Sequence, residues 1–224
     1  SEEGKIKHFR VDKMLHIDLT SDRREGSQKF KAFDMGAYAK KMFGMFAGEE
    51  EMVFSTKYGF RKVEIAGGIV KINGQRVYFK GVNTQDSHPL YGRSIDVATM
   101  LKDIELMKQS NVNTVRTSHY PRQAKMYAMF DHYGLYVMDE ADVECHKSWT
   151  DKGRNSISND PTWQAQYVDR TVRMVYRDRN HPSVVFWSLG NESYAGTCIE
   201  NMTKFFHEVD PTRLVHSEGQ NAGM

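Results

Sequence analysis

VVFWSLGNE, residues 184–192, is apolar for most of its length and turns polar abruptly at Asn191 and Glu192. A strand that is apolar on both faces belongs in a parallel sheet covered by helices. Working outward, the same design recurs. LYVMDEADVECH (135–146) carries Asp139, Glu140, Glu144 and His146 toward its end, and NTVRTSH (113–119) carries Arg116 and His119. YFKGVN (78–83) ends in Asn83 with His88 just beyond, and LVHSEG (214–219) reads as a fifth strand.

Helices separate these strands. Val97, Met100, Leu101, Ile104 and Met107 recur at helical spacing, with Ser94 or Asp96 available as N-cap. Pro121 is expected to open the next helix at a favoured first position, and Gly134 to close it. Asp160-Pro161 starts a third helix with Trp163, Tyr167, Thr171 and Met174 on one stripe; Pro182 bounds it. A fourth covers roughly 197–208 and ends near Asp210-Pro211. Ahead of all this, residues 52–66 read as an edge-type strand, and Asn73-Gly74 marks a hairpin turn.

Alternating strands and helices imply parallel βαβ units, which either a doubly wound sheet or a barrel would satisfy. The polar residues favour the barrel, because they gather at the carboxyl ends of strands, which converge on one mouth only there. The expected fold is therefore α/β: a partial TIM (β/α)8 barrel of about five strands, preceded by a small β-rich segment.

The bulk numbers exclude little else. Hydrophobic content of 39%, charged content of 27% and a net charge of +2 are ordinary for a globular chain and give no strong field toward nucleic acid or anionic lipid. No apolar run is long enough to span a bilayer, so no membrane partner is expected, and the first residues show no signal-peptide core. Cys145 and Cys198 are too few for a disulfide framework.

Each polar cluster has a plain reading beside a chemical one. Glu192 ends a buried strand, where desolvation would raise a carboxyl pKa as a general acid needs; alternatively GNES caps the following helix. Glu144 and His146, two apart in extended chain, could share an Mg²⁺ with Glu192, or could be a solvated loop pairing with Lys147. Arg116 could serve a substrate or bridge to Asp139 or Glu140. Trp187 reads as core more than as a sugar platform. The cations of RDRNHPSV (177–184) read as ligands of the last helical carbonyls.

Together GFRKVEI, NGQRVYFKGVN, HPLYGR, LMKQSNVNTVRTSHYP, DHYGLYVMDEADVECH, RDRNHPSVVFWSLGNES and DPTRLVHSEG, spanning about 58–219, resemble family 2 glycoside hydrolases of the β-galactosidase type. The resemblance implies a retaining enzyme acting on terminal β-D-galactosides. Glu192 would be the acid/base, and Glu144, His146 and Glu192 would hold Mg²⁺. Asn191, His119, Arg116, His88 and Asn83 would contact substrate. Relatives with β-glucuronidase activity tend to read NEP where this chain reads NES, and lack the E-x-H pair, which favours galactose over that alternative.

The chain also departs from the pattern. Many β-galactosidases read GVNRHE where this one has GVNTQD, so Gln85 replaces a subsite histidine. The family's nucleophile comes from a seventh strand and is not expected in these residues, so the chain alone is expected to be inactive. Residues 1–51 resemble part of a WYL domain, 52–66 the terminal strand of an immunoglobulin-like domain, and 67–224 the start of the barrel. The first segment, with Arg10 and Arg24 as candidate ligand contacts, suggests a chimera. It also suggests a second function, a ligand- or nucleic-acid-binding regulatory module fused to a passive barrel fragment. A homo-oligomer fits the unpaired strand edges.

Overall fold

The computed structural model describes residues 42–43, 46–47, 60–146 and 156–218. The chain divides into two compact units, Ser1–Ser55 and Thr56–Met224. In the first, β1 (Met42–Phe43) and β2 (Phe46–Ala47) pair antiparallel. The rest of residues 1–51, with Arg10 and Arg24 of the expected WYL-like segment, lies outside the described residues, as do residues 52–59.

The second unit begins with a three-stranded antiparallel sheet: β3 (Val63–Ala66), β4 (Ile69–Ile72) and β5 (Gln75–Arg76). Of the long strand expected over 52–66, the described part is strand only from Val63 onward. Both connections are two-residue turns at positive φ, Gly67-Gly68 at 60° and 73° and Asn73-Gly74 at 50° and 76°. That handedness matches the twist of paired strands, and Gly and Asn accept it at least cost.

Five parallel strands follow: β6 (Gly81–Asn83), β7 (Thr114–Arg116), β8 (Tyr136–Glu140), β9 (Val184–Ser188) and β10 (Leu214–His216), in the spatial order β10-β9-β8-β7-β6. Sequential neighbours pair in sequential order throughout, as in the wall of a barrel rather than a sheet whose order reverses midway. The register sets Asn83 beside Arg116, and Glu140 beside Ser188, so the polar ends share one rim.

Helices α1 (Val97–Gln109), α2 (Ala124–Tyr133), α3 (Gln164–Asp178) and α4 (Thr197–Val209) alternate with these strands. Met100, Ile104, Met126, Met129, Phe130, Met174, Met202 and Phe206 are buried from α1 to α4 and form the core with Val115, Val137, Val184 and Trp187. Burying each such side chain is worth about 1.5–3 kcal/mol before conformational entropy is counted. Trp187 stacks on Phe206 at 5.9 Å and donates its indole N–H to Asp210 at 3.0 Å, the core role expected of it.

Three local expectations fail. Pro121 does not open α2: the helix starts at Ala124, and Gln123 is extended at φ −60°, ψ 142°. The extended segment turns Arg122 inward, where it is 1% exposed and 3.0 Å from Asp86. Trp163 leaves the buried stripe; it sits in a 3-10 turn (Pro161–Trp163) ahead of α3 and is 44% exposed. The cations at the end of α3 and just beyond it are engaged elsewhere than on its last carbonyls: Arg177 forks onto Asp178 and His181 binds Asp131, while Arg213 takes the carbonyls of Arg179 and His181.

Candidate active site

The rim of β7, β8 and β9 carries one continuous hydrogen-bonded cluster. Glu140, the last residue of β8, is its hub and is wholly buried. Its carboxylate accepts from Arg116 Nε at 2.6 Å, Arg116 Nη2 at 3.1 Å, Ser188 Oγ at 2.7 Å and His119 Nδ1 at 2.7 Å. Four donor contacts on one buried carboxylate offset the cost of taking its charge out of water. Arg116 also pairs with Glu218 and donates to Asn191 Oδ1 at 2.9 Å. Among the described residues, His119 Nδ1 is engaged with Glu140, which leaves its Nε2 for another partner.

Asn191 joins this hub to the carboxylates beyond it. Its side-chain nitrogen donates to Glu144 Oε1 at 2.9 Å, and its backbone N–H to the Val143 carbonyl at 2.8 Å. The chain after β8 and the chain after β9 therefore pair once more, at Glu144 and Asn191. Gly190 permits the approach. Its φ is +125°, and a Cβ there would strike the Val143 carbonyl and lie 2.8 Å from Val143 Cβ.

Glu192 follows directly. Its Oε2 is 2.9 Å from His146 Nε2, and that nitrogen is 3.6 Å from Glu144 Oε1. The structure thus brings together Arg116, His119, Glu144, His146, Asn191 and Glu192. Two expectations about Glu192 are corrected. It does not cap α4, whose N-cap is Gly196. Nor is it desolvated: its side chain is 43% exposed, because it lies past the strand on a residue at φ 45°. A non-glycine residue in that left-handed region carries backbone strain, a cost that persists where surroundings impose it.

Asn83 lies beside Arg116 in register and is exposed on β6, the edge strand of the described sheet. His88 is set by its own loop: its Nδ1 accepts from Leu90 and Tyr91 N–H at 3.0 and 3.2 Å, and its ring stacks on Tyr91 at 4.4 Å. Sequence reasoning underrated Glu140, treating it only as a possible salt-bridge partner, and missed Ser188 and His216. His216 Nδ1 lies 3.2 Å from Ser188 Oγ; burial, then the charge of Arg116, pushes its pKa below the usual histidine value. An acid ending an otherwise apolar strand was the available signal for Glu140.

A cavity of about 160 Å³ lies beside Glu144, with Asp142, Trp163, Tyr167 and Arg170 among its walls. Among the described residues no group of three His, Cys, Asp or Glu side chains forms a ready metal cage. His146 and Glu192 bond to each other instead.

Residues 63–224 match the family described as glycosyl hydrolases family 2, TIM barrel domain. The chain belongs to that family. Its β-galactosidase relatives include one from Halalkalibacterium halodurans, 46% identical over 172 residues, covering 75% of this chain and 17% of the relative. Another, from Clostridium acetobutylicum, is 48% identical over 172 residues, covering 75% of this chain and 19% of the relative. The chain thus spans less than a fifth of the length of these glycosyl hydrolases. Similar solved structures include a β-D-glucuronidase of Dictyoglomus thermophilum, with TM-score 0.63 and 29% identity over 71% of this chain and 29% of that one. A family 2 β-galacturonidase of Eisenbergiella tayi, solved with galacturonate, has TM-score 0.63 and 27% identity over 71% of this chain and 28% of that one.

Proposed function

We propose that this glycosyl hydrolase chain is part of a retaining β-galactosidase whose acid/base is Glu192. In the parent enzyme Glu192 protonates the leaving glycosidic oxygen and then activates water. One observation carries the reading: the side chains of Glu192, His146, Glu144 and Asn191 meet within 2.9–3.6 Å where the chains after two adjacent parallel strands pair. Galactose is favoured over a uronic acid by the identity of 46–48% to proteins named β-galactosidase. The glucuronidase and galacturonidase structures stand at 27–29%.

In this reading the sugar lies over the rim. Asn191 spends its carbonyl on Arg116 and one amide hydrogen on Glu144, leaving a second amide hydrogen for a sugar hydroxyl. His119 presents Nε2, and Arg116 braces Glu140 behind it. Asn83 and His88 would line the more distant part of the subsite.

The same reading gives Glu144, His146 and Glu192 to Mg²⁺. Six oxygen or nitrogen ligands about 2.0–2.1 Å from that ion lie about 3 Å from their neighbours. His146 and Glu192 already stand 2.9 Å apart, while Glu144, at 3.6 Å from His146, needs a side-chain adjustment that its 42% exposure allows. Bound there, the ion would supply the positive charge that lets two carboxylates sit side by side.

Glu192→Gln in the full-length enzyme is expected to lower kcat on an alkyl β-galactoside by about 10²–10⁴-fold with the fold intact. Full activity in that variant, or an inverted anomeric product, would sink the assignment. The 224 residues expressed alone are expected to turn over no galactoside. Among the described residues the carboxylate beside Glu192 is Glu144, which shares His146 with it rather than facing it across a sugar.

A further inference from the structure

Behind Glu140, on the helix-facing side of β8, a second polar cluster is sealed from solvent. Asp139 is wholly buried. Its Oδ1 accepts from the Tyr127 hydroxyl at 2.5 Å and from Thr117 Oγ at 3.3 Å. Its Oδ2 is equally buried, yet meets no donor among the described residues. What lies in hydrogen-bonding reach is another acid, Asp178 at the end of α3, also wholly buried.

Two carboxylates in contact in a dry interior cannot both carry charge. Which one keeps the negative charge follows from Arg177. Its guanidinium forks onto Asp178 at 2.7 and 2.6 Å, so the cation neutralises Asp178 directly. Asp139 has no such cation forked onto it among the described residues; hydroxyls serve its Oδ1, its Oδ2 meets no donor, and its acidic neighbour is Asp178. We propose that Asp139 is a neutral carboxylic acid that donates its proton from Oδ2 to Asp178, and that it is a positioning residue for Glu140.

The link to Glu140 is Thr117. Its hydroxyl donates to Asp139 Oδ1 and accepts the backbone N–H of Glu140 at 2.9 Å. Asp139 thereby fixes the peptide from which the hub carboxylate springs, and α3 is tied to β8 through the shared proton. The other groups facing the pair are Tyr127 from α2 and Arg177 from α3; His181, whose ring lies 5.4 Å from Tyr127, is occupied by Asp131. Burial first, then the negative charge of Asp178, pushes Asp139 well above the usual carboxylate range, in the direction the geometry demands. None of this depends on which glycoside is cleaved.

Infrared spectroscopy of the full chain tests the protonation state without turnover. A carboxylic-acid carbonyl band is expected at neutral pH in the unmodified protein and not in Asp139→Asn or Asp178→Asn. The unfolding equilibrium gives a second readout. A raised folded-state pKa confers stability that is complete below the ordinary carboxylate range and fades as pH rises through the folded value. Unfolding should therefore become up to about tenfold more favourable per pH unit in that window, and Asp139→Asn should remove the slope. Asn keeps an acceptor for Tyr127 and Thr117 and a donor for Asp178, so the Glu140 amide resonance should stay near its original position in that variant and move in Asp139→Ala. Absence of the acid band in the unmodified protein, or an unchanged pH slope in Asp139→Asn, overturns the proposal. If neither Asp139 variant folds, the band and its loss in Asp178→Asn decide it.

Discussion

Arg116 and Glu140 meet through two hydrogen bonds, 2.6 Å from Nε and 3.1 Å from Nη2, and the carboxylate they share is entirely out of water. Such a pair contributes little net stability while whole, yet breaking it strands a charge. Arg116→Ala is expected to cost about 3–5 kcal/mol in urea unfolding. Arg116→Lys should recover only part, since an ammonium lacks the planar fork. A loss below about 1 kcal/mol for the alanine variant would mean that His119 and Ser188 alone hold Glu140.

Gly190→Ala should be disproportionately harmful for one methyl group. The added carbon meets the Val143 carbonyl and takes up a left-handed backbone unsuited to alanine. The expected destabilisation exceeds about 1 kcal/mol. Hydrogen exchange at the Asn191 amide, bonded to Val143 at 2.8 Å, should accelerate before exchange within β9 does. A variant with unchanged exchange there would show that the two loops can part without consequence.

Mg²⁺ should register on His146. Titrating the ion into isotope-labelled protein is expected to shift the His146 ring nitrogens, because its 2.9 Å bond to Glu192 must give way. The shift should vanish in Glu144→Gln. Equal responses from His146 and from His132, which lies away from the rim on α2, would indicate non-specific binding only.

Asp210 gives a pH dependence of opposite sign to that of Asp139. Burial works to raise its pKa, but hydrogen bonding from Thr212, the charge of Arg213 and the Trp187 indole overcome this and leave it below the usual value. Stability from this group is present above the ordinary carboxylate range and is lost as pH falls through the depressed value. Asp210→Asn should be less stable at neutral pH and less sensitive to acid, which thermal melts at several pH values would check. Parallel acid dependence in both proteins would refute this.

The inner strands were legible because doubly buried strands are written as continuous apolar runs, and those of β7, β8 and β9 gave way to polar residues at Arg116, at Asp139-Glu140 and, just past the strand, at Asn191-Glu192; β6, exposed at the edge, was legible only from its place in the alternation. The turn at Asn73-Gly74 was legible because so few residues accept its dihedral angles. What escaped was partnership across long separations. Nothing local reveals that Arg122 needs an extended backbone to reach Asp86, which is why Pro121 misplaced the start of α2. Nothing in RDRNHPSV announces that Arg213, 34 residues past Arg179, will take its carbonyl. Exposure was equally hidden: Trp163 fits the helical stripe by spacing, and only the 3-10 turn removes it from the core. The acid pair of Asp139 and Asp178 lies 39 positions apart in chain and was invisible for the same reason.

The seam joining Val143–Glu144 to Asn191 has a mechanical meaning. Backbone and side-chain bonds cross it, so neither loop can swing without dragging its neighbour. Glu144 and Glu192 then ride on a single plate. A distortion of the rim would alter how that plate tilts toward a bound sugar while leaving the gap between the two acids almost constant.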